Sequence, residues 1–476
     1  MPTLAQPTDR PAPVSRGAVR GALDRMGRNL LGGPGRVAGA DIARGIAVLG
    51  MFTAHVGVTS ADISTLEGWL SLAHGRSSIL FATVAGLSLA LVTGGSAPLV
   101  GAAMRTARSR ILVRAVLLLA LVAVLDLLGT RVLLILGFYA AYFVLALPFL
   151  RMPPGRLAAM AVIVAVVGPF LVYYGPEALA RSGLRAPHDG SGAATDFLLT
   201  GHYPALVWMA YVLAGLAVGR CNLRSPALHL GLVAGGFGLA AVSSIVSSSL
   251  VAGAGGIEAI EGQLALTSSE YVMPPPTWSD PWPPLAGLYL EGPHDDTMFE
   301  ALGSGGFALG VLGLCLLIGS GIVGRASGRA ADNAADGSAD SSADSSAGGT
   351  AAGSAAGGSA ATTAGGAGGS GVVGRVVRWI VLVVTAPLAA VGAMALTVYS
   401  VQIVVIWWWT LTYWDLLDPP TNEPLGWMVL ITLAVATLWR ALFGRGPLER
   451  LFAGVAQTAF PTLPSESRPS PESRPV

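Results

Sequence analysis

The sequence predicts an all-α fold: a polytopic membrane helix bundle of about ten transmembrane helices, with both termini on the cytoplasmic side. Three observations lead there. Of 476 residues, 53% are hydrophobic and only 12% charged, and the mean hydropathy is +0.64. A soluble domain carries about 25% charged residues, so this chain has too little polar surface to cover a water-soluble fold. The apolar residues also gather into runs near the roughly 20 residues that a helix needs to cross a bilayer. Finally, the arginines collect in alternate connections between those runs, the positive-inside pattern. All 28 basic residues are Arg and none is Lys, which fits a GC-rich bacterial genome. The expected location is therefore the bacterial plasma membrane, and the bilayer is the first expected partner. A net charge of +1 gives no reason to expect nucleic acid.

The elements follow in order. Residues 1–38 carry six arginines and no apolar core, and read as a disordered cytoplasmic tail rather than a cleavable signal peptide. Spans are expected at about 40–58, 78–93, 111–128, 131–150, 157–175, 203–219, 228–251 and 299–323, an eight-helix unit over 39–325. Residues 326–371 are almost wholly Ala, Gly, Ser, Thr and Asp, cannot bury a core, and read as a disordered linker. Two further spans, at about 376–409 and 425–443, make a C-terminal unit over 372–455, followed by a second disordered tail over 456–476. The run 376–409 is too long for one straight helix; a short interfacial helix before Pro387 and one crossing after it keep the parity. The connection 252–298 holds seven acids and no Arg, which places it on the outer side.

Polar residues inside spans are costly and call for a reason. The first span holds Asp41, Arg44 and His55. Asp41 and Arg44 are three apart and can pair on one face. Arg44 and His55 are eleven apart, so they share a helix face with about 16 Å between them. Arg44 snorkelling to headgroups and His55 closing the outer end is the competing reading. His74-Gly75-Arg76-Ser77-Ser78 opens the second span, where it serves either a polar substrate or helix capping. His202 and Tyr203 precede the sixth span, and His294 precedes the eighth beside Asp295 and Asp296. A His beside carboxylates can move protons; three adjacent residues rarely chelate an ion, so no metal is expected. Asp126 is placed to pair with Arg131 across a short turn. Tyr271, Trp278, Trp282 and Tyr289 in the acidic loop suit either a sugar or interfacial packing. No phosphate loop, dinucleotide fingerprint or nucleophile elbow is present.

RVAGADIARGIAVLGMFTAHVG, from Arg36, resembles the first transmembrane helix of the transmembrane acyltransferase superfamily. The shared pattern is Asp41, Arg44, Gly45 and, eleven positions past the Arg, His55. GRSSILFATVAGLSLALVTGG, from Gly75, resembles the second helix of bacterial proteins with the heparan-α-glucosaminide N-acetyltransferase catalytic domain. ILGFYAAYFVLALPFL, GHYPALVWMAYVLAGLAVGR and PHDDTMFEALGSGGFALGVLGLCLL resemble the same group. PLAAVGAMALTVYSVQIVV and FGRGPLERLF resemble the uncharacterised C-terminal membrane domain often fused to it.

The resemblance implies acyl transfer. Cytoplasmic acyl-CoA (acetyl-CoA) would be co-substrate, and an amine or hydroxyl of an envelope glycan or small molecule at the outer face the acceptor. His55 or His74 would be the catalytic base or carry the acyl group transiently. The acyltransferase-3 proteins place their His at the His55 position. The eukaryotic enzyme has Asn there and its His in the following loop, where this chain has His74. Asp41, Arg44, Arg76, Ser77, His202, Tyr203, His294, Tyr399 and Gln402 are the expected substrate- and donor-binding residues. A homodimer is compatible with this reading. The rival classes are a permease for a small polar solute, its path lined by the intramembrane polar residues, and a non-catalytic scaffold.

Overall fold

The computed structural model describes residues 26, 29, 36–184, 195–269, 276–342, 372–413 and 419–461. It is helical throughout, with no strand among the described residues. The helices are α1 (Ala38–Val56), α2 (Leu66–Ser71), α3 (Arg76–Val92), α4 (Gly101–Asp126), α5 (Ile135–Ala146), α6 (Pro154–Arg181) and α7 (Ala205–Arg220). There follow α8 (Pro226–Gly253), α9 (Ile257–Thr267), α10 (Met298–Ser342), α11 (Val372–Ala393), α12 (Ala395–Thr412), α13 (Glu423–Phe443) and α14 (Pro447–Ala459). Most of the N-terminal tail, the stretch 343–371 of the expected linker and the tail beyond 461 lie outside the described residues. The N-terminal part of that linker is helical, since α10 continues to Ser342 through an Ala-rich sequence.

Among the described residues, six helical segments are long and apolar enough to cross a membrane: Leu66–Val92, Pro154–Arg181, Pro226–Gly253, Met298–Ser320, Ala395–Thr412 and Glu423–Phe443. Ile135–Arg151, Ala205–Arg220 and Val383–Ala393 are apolar but shorter. Burial divides them into an inner and an outer group. In Leu66–Val92, 72% of the span is buried; in Pro226–Gly253 the share is 17% and in Glu423–Phe443 22%. The outer helices expose Val242, Ile245, Leu430 and Ile431, side chains that water would not tolerate in such density and lipid would.

α1 is packed against α3, α10, α11 and α12. Its glycines explain the closeness. A Cβ at Gly45 would lie 2.0 Å from Leu388 O, and one at Gly392 1.8 Å from Asp41 O. The pair α3 and α7 meets the same way, Gly86 against Val212 O and Gly215 against Thr83 O. Small residues that let backbones approach are how helices gain contact where lipid supplies no hydrophobic drive.

The break in the 376–409 run falls at Met394, between α11 and α12, and not at Pro387, which lies within α11. Pro387 lacks an N–H, but the helix carries it where its neighbours pack. The free end of α12 is satisfied from elsewhere: Glu449 of α14 accepts from the N–H groups of Leu396 and Thr397 and from the Thr397 hydroxyl. α14 thereby fixes α12, the helix that carries Tyr399 and Gln402.

Candidate active site

A cavity of about 410 Å³ opens among the ends of α1, α3, α5 and α7 and the loop before α10. Four histidines line it, namely His55, His74, His202 and His294. Ser77, Tyr203 and Tyr399 stand in the same wall. Seven of the residues expected from sequence to be catalytic or to bind substrate therefore meet in one space, although they come from five separate stretches of chain.

Each is held by its own element. His55 ends α1, and its Nδ1 lies 3.0 Å from the Gln402 amide nitrogen on α12. Gln402 is 2% exposed, and its Oε1 is buried without a partner. The amide has two orientations with opposite consequences. An N–H facing Nδ1 leaves the imidazole proton on Nε2; a carbonyl facing Nδ1 puts the proton there and leaves the Nε2 lone pair free. His74 sits in the tight turn before α3, where Gly75 takes φ +67°, and its Nδ1 is buried with no hydrogen-bond partner. The Ser77 hydroxyl donates to Ala73 O and that of Ser78 to Gly75 O, so both also close the start of α3. Tyr399 is 1% exposed and its hydroxyl has no hydrogen-bond partner among the described residues.

His294 and Asp296 adopt left-handed backbone, φ +65° and +51°, which non-glycine residues rarely do. Glu300 holds that turn, accepting from the His294 N–H at 2.8 Å and the Asp296 N–H at 2.7 Å. The Trp208 indole donates to Asp296 Oδ1 at 3.1 Å and lies parallel to the His294 ring, 6.1 Å between centroids. Burial first, then repulsion from His202 and His74, pushes His294 down to about 4, so it is neutral at neutral pH. Burial, reinforced by Glu300, holds Asp296 well above the usual carboxylate range. His202 and His294 also line a second cavity of about 340 Å³, with Glu177, Asp295 and Asp296 in its wall.

Other expected residues lie elsewhere. Arg76 does not line the first cavity; its guanidinium stands over the Phe307 ring at 5.5 Å. Asp41 and Arg44 form a lock at the other end of α1. Arg44 donates to Asp41 Oδ1 (3.1 Å), Gly392 O (3.1 Å) and Ser88 Oγ (2.6 Å), while Asp41 also meets Arg36 at 2.9 Å. Trp282 of the acidic loop packs under Arg181, 4.4 Å from its guanidinium; Tyr271 is outside the described residues. Arg131, read from sequence as a partner of Asp126, also lines the cavity. Glu300 and Trp208 are not among the residues expected from sequence, although an acid in the apolar run of α10 is a usable signal. No three His, Cys, Asp or Glu side chains among the described residues are placed to hold a metal ion.

Helices of this length and a His-lined cavity define a polytopic helical membrane protein with acid–base groups grouped at one end. Residues 36–246 match the family model described as heparan-alpha-glucosaminide N-acetyltransferase, catalytic. The match runs from just before α1 into α8 and includes His55, His74, His202 and Tyr203, while His294, Tyr399 and Gln402 lie beyond it. No curated protein and no solved structure matches the chain.

Proposed function

We propose that this protein is a membrane acetyltransferase that takes the acyl group from cytoplasmic acetyl-CoA and passes it to an amine or hydroxyl at the outer face of a bacterial plasma membrane. The observation that carries the reading is the cavity lined by His55, which lies inside the family match and is held at Nδ1 by Gln402 from outside it. With the Gln402 carbonyl toward Nδ1, His55 presents the Nε2 lone pair to the cavity, the arrangement a general base requires. His74, His202 and His294 surround the same space and supply polar contacts for the acceptor. The acceptor belongs to the envelope, as a glycan or small molecule. Ten crossings with cytoplasmic termini satisfy the arginine distribution: the six long helices, the shorter apolar Ile135–Arg151 and Ala205–Arg220, and α1 and α4, whose charged residues lower their hydropathy.

Purified protein in detergent, incubated with radiolabelled acetyl-CoA, tests the reading. Acetyl-CoA turnover or label on a His is the expected result. Absence of both turnover and acetyl-CoA binding would sink it in favour of a permease.

A further inference from the structure

We infer that the Tyr399 hydroxyl is the oxyanion donor of this site, so that α12 completes a catalytic centre whose base stands on α1. The inference rests on the acetyltransferase reading. Three observations support it. Tyr399 lines the cavity that His55 lines. Tyr399 is 1% exposed, and its hydroxyl is buried without a hydrogen-bond partner among the described residues, an arrangement that costs free energy unless a ligand supplies one. Gln402, one helical turn further along α12, reaches His55. One helix thus delivers an O–H donor to the cavity wall and, through Gln402, the ring partner of the base that lines it.

The chemistry balances as follows. The acceptor's lone pair attacks the thioester carbonyl carbon while His55 Nε2 takes the acceptor's proton. The carbonyl π pair moves to oxygen, and the oxyanion so formed accepts a hydrogen bond from Tyr399. The carbonyl re-forms as the C–S bond breaks, and the departing thiolate takes the proton from the imidazolium. Tyr399 keeps its proton throughout. A donor aimed at charge that develops only in the transition state acts on kcat, with little effect on ground-state binding.

The test uses the full chain in detergent, acetyl-CoA as donor and water as acceptor. Tyr399→Phe removes one oxygen and keeps the ring. Its kcat for acetyl-CoA hydrolysis is expected to fall about 100- to 1,000-fold, with KM and the affinity for free CoA, which has no acyl carbonyl, unchanged. A Phe variant within threefold of wild type would overturn the assignment. So would a parallel loss of CoA affinity, which would mark Tyr399 as a packing residue. Wild-type protein that binds no acetyl-CoA and turns none over would instead remove the acetyltransferase reading itself.

Discussion

Gln402 and His55 lie 347 positions apart in sequence, yet the side-chain amide of one is 3.0 Å from Nδ1 of the other. The amide carbonyl oxygen beside it is buried without a partner, so the amide rather than solvent decides which imidazole nitrogen carries the proton. Gln402→Glu replaces the amide with a group that only accepts, which fixes the proton on Nδ1 and frees Nε2. Gln402→Leu removes the acceptor altogether. The expected order of kcat is Glu at or near wild type and Leu lower by about 100-fold. A Leu variant with full turnover beside a dead Glu variant would show that His55 works from the other tautomer.

His55 and His74 line one cavity, and only His55 has a fixed ring partner. His55→Ala is expected to lower acetyl transfer by about 100-fold or more while the protein stays inserted and thermally stable. His74→Ala should cost less, since His74 Nδ1 has no partner to orient it as a base. The reverse ranking, measured in the same acetyl-CoA assay, would move the base into the loop before α3.

Much of this site was legible in the sequence, because residues that are expensive in an apolar run announce themselves. His55, His74, His202 and His294 stood out that way, and all four reach the cavity. Spacing along one helix also placed Arg44 correctly beside Asp41. What sequence could not supply is what faces a residue across a gap. Arg44 turned out to bond Gly392 O and Ser88, partners on two other helices, and Arg76 to lie over Phe307. The same limit applied to Glu300, whose work is to hold the backbone of a turn rather than to present itself to the cavity. The break at Met394 was displaced from Pro387 because proline marks a missing hydrogen bond, whereas packing and the cap from Glu449 decide where the helix divides.

Close helix contact through glycine makes a prediction about stability. A Cβ at Gly215 would lie 1.8 Å from Thr83 O, a backbone atom that cannot swing aside, whereas one at Gly235 on α8 would meet nothing within 4 Å. Gly215→Val should destabilise the protein by about 3 kcal/mol or more, while Gly235→Val should change its melting temperature in detergent little. Equal melting temperatures for the two variants would contradict the α3–α7 packing.

Arg220 is 4% exposed and is bonded to protein oxygens alone: Ala90 O at 3.2 Å, Gly95 O at 2.6 Å, Thr93 Oγ1 at 2.7 Å, and Leu150 O. It ties the end of α7 to the end of α3 and to the turn after α5. A planar guanidinium reaches these acceptors together; a lysine ammonium cannot. Arg220→Lys should therefore behave as a destabilising substitution by about 2 kcal/mol, read as reduced yield of folded protein, with donor affinity per folded molecule unchanged. Lower affinity at normal yield would point to a role in binding.

The turn at His294 predicts how stability depends on pH. In the folded protein His294 is held at about 4, against an ordinary value of 6.5, so between those values the unfolded chain binds a proton that the folded protein does not. Folding stability from this group is complete above about pH 6.5 and is lost progressively as pH falls towards 4, by roughly 3 kcal/mol in all. Asp296, held above its ordinary range by burial, works in the opposite sense and stabilises at low pH, so the wild-type curve alone would mix the two. His294→Asn separates them, because Asn accepts the left-handed backbone and has no proton to gain. Melting temperature in detergent should drop more steeply for wild type than for His294→Asn between pH 6.5 and 4. Parallel curves would mean that His294 is already charged in the folded protein, and that its ring reaches water rather than the enclosed space between Trp208 and His202.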